Sequence, residues 1–143
     1  MVRFGTVMAA AMLLAAGAPA IAHEEAPPPP PKKEAPAVPI KFAETKRGTV
    51  LANTGGMTLY WFDRDDSGTK STCDGKCTQK WIPLAASDDS KPLGDFTVIV
   101  RNDKSKMWAY RNRPLYTSYD DKAAGDVNGF DAANLWHIAR PAN

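Results

Sequence analysis

Leu59-Tyr60-Trp61-Phe62-Asp63-Arg64-Asp65 is the stretch that decides the fold, because it returns in degenerate form as Leu115-Tyr116-Thr117-Ser118-Tyr119-Asp120-Asp121. Each copy is an aromatic, β-prone run that enters an acidic turn. A Gly-containing loop follows each turn, and a tryptophan closes each copy: Trp81 lies 16 residues after Asp65, and Trp136 lies 15 after Asp121. Four features in matching order mark an internal repeat. Strand geometry sends successive side chains to opposite faces. Tyr60 and Phe62 therefore face one way and Leu59 and Trp61 the other, so this strand is expected to be covered on both sides. Two related aromatic hairpins leaning on each other are the expected body of the protein.

Working outward, Thr49–Ala52 and Met57–Phe62 flank Asn53-Thr54-Gly55-Gly56, which is a hairpin signal. Phe96–Val100, Met107–Tyr110, Leu115–Tyr119 and Leu135–Ile138 read as further short strands, with a turn at Asn102-Asp103-Lys104-Ser105. In Phe96–Arg101, the face with Phe96, Val98 and Val100 opposes Thr97, Ile99 and Arg101, a half-exposed pattern. Cys73–Trp81 reads as one or two helical turns stopped near Pro83. No stretch keeps a long helical period. The fold class is mainly β: a small domain of two similar β-hairpin and loop units with short helical turns.

The start of the chain reads differently. Residues 1–22 show a charged start at Arg3, a short apolar run over Val7–Ala16, and Ala20-Ile21-Ala22 as a cleavage site, the three-part secretory pattern. The apolar run is shorter than the roughly 20 residues of a spanning helix. Cleavage at Ala22/His23 is expected to release a periplasmic or secreted protein. Residues 23–40 hold more than half of the 12 prolines, with Pro27–Pro31 unbroken. Such a segment has little to bury and reads as a disordered, stiff polyproline II spacer or stalk. The domain is then residues 41–143, with units at about 45–85 and 95–141. The net charge is +2, from 18 Lys and Arg against 16 Asp and Glu. That balance speaks against a nucleic-acid partner. No second apolar run suggests a transmembrane segment in the mature chain.

These residues resemble the secreted-repeat lipoproteins named for a Tyr-x-(Phe/Trp/Tyr)-x-x-Asp motif. Tyr60, Phe62 and Asp65 match it at its spacing. Gly56-Met57-Thr58-Leu59-Tyr60, Cys73-Asp74-Gly75-Lys76-Cys77, Trp81 with Pro83, Arg113-Pro114-Leu115-Tyr116, Gly125-Asp126 and Trp136-His137 are also similar to that family, over roughly Thr45 to Pro141. In the second unit Tyr116 and Asp121 keep their places while Ser118 replaces the aromatic. No cysteine lies near the cleavage site, so lipid attachment is not expected. The resemblance implies a secreted repeat domain and no established activity.

Four constellations could carry chemistry. Cys73 and Cys77 are the only cysteines, and in an oxidising compartment an even count reads as a disulfide. Its small ring is worth roughly 2 kcal/mol. The alternative, a redox dithiol, lacks the two-residue spacing of thioredoxin-like sites. The acidic loop places Asp63, Asp65, Ser67 and Thr69, with Gly68 and then Asp74, in the ligand order of a calcium loop. Its plain counterpart is a turn whose polar side chains serve local backbone groups. His23 and His137 could bind copper only if the stiff tail brought the two together, a geometry it does not favour. Arg101, Lys104, Lys106, Arg111 and Arg113, interleaved with Trp108 and Tyr110, could hold an anion or simply guard a sheet edge. No nucleophile elbow or P-loop is present. The sequence therefore points to a non-enzymatic, exported cell-envelope binding or scaffolding domain. Its partner would be an envelope protein or small ligand, without cofactor. The alternative is a calcium- or other metal-binding module on the Asp63–Asp74 loop.

Overall fold

The computed structural model describes Gly5 and residues 37–65, 70–130 and 132–142. Apart from Gly5, the expected export signal and the proline tail through Ala35 and Pro36 lie outside the described residues. The chain divides into Met1–Lys32 and Lys33–Asn143, and the described strands all belong to the latter. They are β1 (Ile40–Thr45), β2 (Gly48–Asn53), β3 (Tyr60–Phe62), β4 (Trp81–Pro83), β5 (Phe96–Val100), β6 (Lys106–Tyr110), β7 (Arg113–Pro114), β8 (Tyr116–Ser118) and β9 (Trp136–Ile138). A single turn of helix, α1 (Cys77–Lys80), leads into β4. The molecule is mainly β, in three small sheets: β1-β2, β5-β6-β7, and a central sheet ordered β4-β8-β3-β9.

The central sheet shows how the two repeats fit together. Tyr60 of β3 lies opposite Tyr116 of β8. On the outer side of β3, Tyr60 pairs with Ile138 and Phe62 with Trp136. On the outer side of β8, Tyr116 pairs with Pro83 and Ser118 with Trp81. The register is thus the same on both sides of an approximate two-fold axis. Each repeat's closing strand pairs with the other repeat's aromatic strand. The flanking backbone bonds repeat the pattern. Leu51 N–H donates to Ala139 O at 2.8 Å and Trp108 N–H to Leu84 O at 2.9 Å, while Ala139 N–H donates to Leu59 O and Leu84 N–H to Leu115 O. Neither repeat completes the central sheet by itself.

The alternation in the sequence becomes two layers of core. Val50, Tyr60, Met107, Ala109, Tyr116, Trp136 and Ile138 pack together on one side. Leu51, Leu59, Trp108, Leu115 and Ala139 pack on the other, joined by Trp61, Phe96, Val98 and Tyr110. Consecutive residues thus enter opposite layers, as strand geometry requires. β5 is half-exposed, but Ile99 and, just past the strand's end, Arg101 are the buried residues, while Val100 on the all-apolar face is 52% exposed.

Three strands were not announced by the sequence: β1, β4 and the two-residue β7 (Arg113–Pro114). β1 pairs with β2 along its whole length, from Ile40↔Asn53 to Thr45↔Gly48. Its charges, Lys41 and Glu44, and its exposed Phe42 hid the strand, and such residues suit an edge. The expected hairpin is present on the other edge of β2, where Asn53 N–H donates to Met57 O and Leu59 N–H to Leu51 O. β4 takes over where the helical turn was expected to end. Trp81 already has extended dihedrals, φ −116° and ψ 99°, because β8 supplies it with a partner.

Candidate functional site

The motif side chains meet at the approximate axis, and they meet crosswise. Tyr60 Oη donates to Asp121 Oδ2 at 2.8 Å, and Tyr116 Oη donates to Asp65 Oδ2 at 2.7 Å. The phenol of each copy is held by the carboxylate of the other. The acids are anchored alike: Asp65 Oδ1 accepts Thr72 N–H at 2.8 Å, and Asp121 Oδ1 accepts Asn128 N–H at 2.7 Å. Each phenol oxygen has one more partner, Gly129 N–H for Tyr60 and the Ser71 hydroxyl for Tyr116. Trp81 and Trp136 stack between the copies with centroids 3.7 Å apart and planes 6° apart. Tyr60 meets Trp81 edge-on, and Tyr116 meets Trp136 likewise. Phe62 extends the stack over Trp136. Gly129 is needed here, since a Cβ would come within 2.7 Å of the Trp81 ring.

Burial raises both phenols well above their ordinary pKa, and the adjoining carboxylates reinforce the shift. Burial also raises Asp65, opposed by its bonds from Thr72 and Tyr116. Groups held this way build the fold. Tyr60→Phe is expected to cost about 1.5–3 kcal/mol, the range for a hydrogen bond to a charged group, because it strips a donor from Asp121, which is 5% exposed. Tyr116→Phe is expected to cost less, because Asp65 is only half-buried. Urea midpoints of the two variants provide the comparison.

Cys73 and Cys77 form a disulfide. Its loop neutralises a buried cation: Arg101 Nη2 donates to Cys73 O and to Asp74 Oδ1, both at 2.8 Å. The Arg101 side chain is 6% exposed, so it does not belong to a surface basic patch. Asp74 is held below the usual carboxylate range by its bonds from Asn102 and Arg101.

Of the residues in calcium-loop order, Ser67 and Thr69 lie outside the described residues. The other three turn to separate partners. Asp63 Oδ2 is 2.8 Å from His137 Nε2, Asp65 serves Thr72 and Tyr116, and Asp74 serves Arg101 and Asn102. Among the described residues, no group of three or more His, Cys, Asp or Glu side chains could hold a metal ion. Because Asp63, Asp65 and Asp74 already serve separate partners, millimolar calcium is expected to leave the thermal midpoint in place. A clear calcium-dependent rise, reversed by chelator, would show coordination by this loop.

The exposed chemistry lies elsewhere. The β6–β7 hairpin turns through Arg111 and Asn112, both with positive φ (45° and 62°), the geometry of a two-residue hairpin turn. This turn and β9 enclose a cleft of about 390 Å³ lined by Trp61, Tyr110, Arg111, Arg113 and Arg140 over a floor of Leu115, Ile138 and Ala139. The Arg113 guanidinium lies 3.6 Å from the centre of the Trp61 ring. His137 stacks on that ring at 4.3 Å. Arg111 and Arg113 stand in the basic stretch of the sequence. Arg140 lies far from it along the chain, and only the pairing of β9 with β3 brings it there.

A family model for a secreted repeat of unknown function matches the chain twice, at residues 41–85 and 97–140. The chain belongs to this family. The two matches of the secreted repeat coincide with the halves related by the axis. No curated protein matches the chain, and no solved structure does. Among the described residues of this secreted repeat protein, no helix is long and apolar enough to cross a membrane.

Proposed function

We propose that this protein is an exported cell-envelope binding or scaffolding domain that acts by holding a partner rather than by catalysis. In this reading, the Tyr/Asp motif builds the body and the arginine-lined end does the binding. One contrast carries it: the motif phenols are buried and bonded reciprocally to the carboxylates, whereas Arg111, Arg113 and Arg140 stand exposed around a cleft. Side chains fully engaged inside the fold have no capacity left for a ligand. Guanidinium groups at a surface do, because their planar forks match carboxylate and phosphate. Cleavage at Ala22/His23 would deliver the domain to the periplasm or medium on its proline-rich tail.

The test is retention of the exported protein on a carboxylate-bearing matrix at low salt. The double variant Arg113→Gln/Arg140→Gln is expected to elute earlier while keeping nearly the parent melting temperature. Equal retention of parent and variant would move the binding face elsewhere.

A further inference from the structure

Arg113 and Arg140 have no carboxylate within ion-pair distance among the described residues. Arg111 has only a loose, exposed approach to Asp95 at 3.7 Å, a type of pair worth little in water. Among the described residues, the cleft lining contains three permanent positive charges and no acid. Gathering like charges costs free energy unless an anion joins them.

The posture of two of these arginines is specific. The Arg113 guanidinium carbon sits 3.6 Å over the Trp61 ring centre, a cation–π contact that holds the group in place without using its N–H donors on an acid. His137 is close to the same ring centre, and two planar groups so near one centre cannot share a face. Trp61 is therefore clamped on both faces and acts as a rigid support. Arg111 sits at φ 45°, a left-handed conformation that glycine and asparagine tolerate and arginine adopts at a cost. The turn itself gains nothing from an arginine there.

We propose that this cleft binds a small anion carrying two or more charges on carboxylate or phosphate oxygens, gripped by Arg111, Arg113 and Arg140. The inference rests on the reading of this end as the binding face and gives that face a ligand class. The cleft volume falls within the roughly 300–1,000 Å³ of small-molecule sites.

The probes are citrate and inorganic pyrophosphate, added to the exported protein at low salt. The indole N–H resonance of Trp61 is followed alongside calorimetry. At least one probe is expected to bind saturably, at one per chain, with movement of the Trp61 resonance and weakening as salt rises. Arg113→Gln and Arg140→Gln should each weaken binding about tenfold, the size of one lost charge-assisted bond. Arg111→Gly gives the sharper test: it should keep or raise the melting temperature by relaxing the turn, yet weaken the same binding. An Arg111 serving only the turn would leave affinity unchanged, and that result overturns its role in the grip. Absence of saturation by either probe overturns the ligand class. If matrix retention persists in that case, the binding face stands and only the small-anion assignment falls. If retention is lost as well, both fall.

Discussion

Residues 37–90 produced alone are expected to be unfolded, with a coil-like far-ultraviolet spectrum and collapsed amide dispersion. In such a fragment β3 loses both of its neighbours, since β8 and β9 belong to the second repeat. β4 loses β8, its partner in the central sheet. Tyr60 loses Asp121, and Asp65 keeps its carboxylate but loses the Tyr116 phenol. A piece of this size is already near the lower limit of independent folding, and here its hydrogen bonds and core are completed by the missing half. Mixing it with residues 91–143 is expected to restore dispersion by reassembling the crossed sheet. A cooperative melt of the first fragment alone would contradict this account of how the repeats depend on each other.

Trp136→Ala is expected to lower the unfolding free energy by about 3–5 kcal/mol, the range for truncating a buried large aromatic. Trp136 is 5% exposed and touches Phe62, Trp81 and Tyr116 at once. Its loss opens a gap at the centre of the molecule and removes the edge contact that steadies the Tyr116 ring. Typical domains have only about 5–15 kcal/mol in total, so the variant should sit close to its unfolding transition at ambient temperature. Urea titration checks this: the midpoint falls while the slope holds, as for a change in stability without a change in the surface exposed. Trp81→Ala should behave alike, because Trp81 holds the symmetric place. A loss under 1 kcal/mol in both variants would mean that the stack is not the centre of the fold.

Period-two alternation made much of this architecture readable. Leu59 and Tyr60 had to enter opposite layers, and the second copy had to do the same with Leu115 and Tyr116. Equal spacing could not say which acid each tyrosine would find. Tyr60 stands five residues before Asp65 and reaches Asp121 instead, because β3 lies beside β8 and carries the side chains past one another. β1 escaped notice because its alternation is broken by charges that suit an exposed edge. The basic stretch was legible as composition and misleading as a group. Arg101 is drawn inward to Asp74 and Cys73 O, while Arg140 joins from the far end of the chain. Burial and strand exchange made those choices, and both are properties of the assembled sheet rather than of local sequence.

The crossed bonds also constrain descent. A change at Asp121 is felt at Tyr60 and not at Tyr116, so correlated columns among relatives should link the acid of one copy to the phenol of its sibling. Each half can drift where the axis allows, as Phe62 and Ser118 already have at matching places, but neither can be inherited without the other.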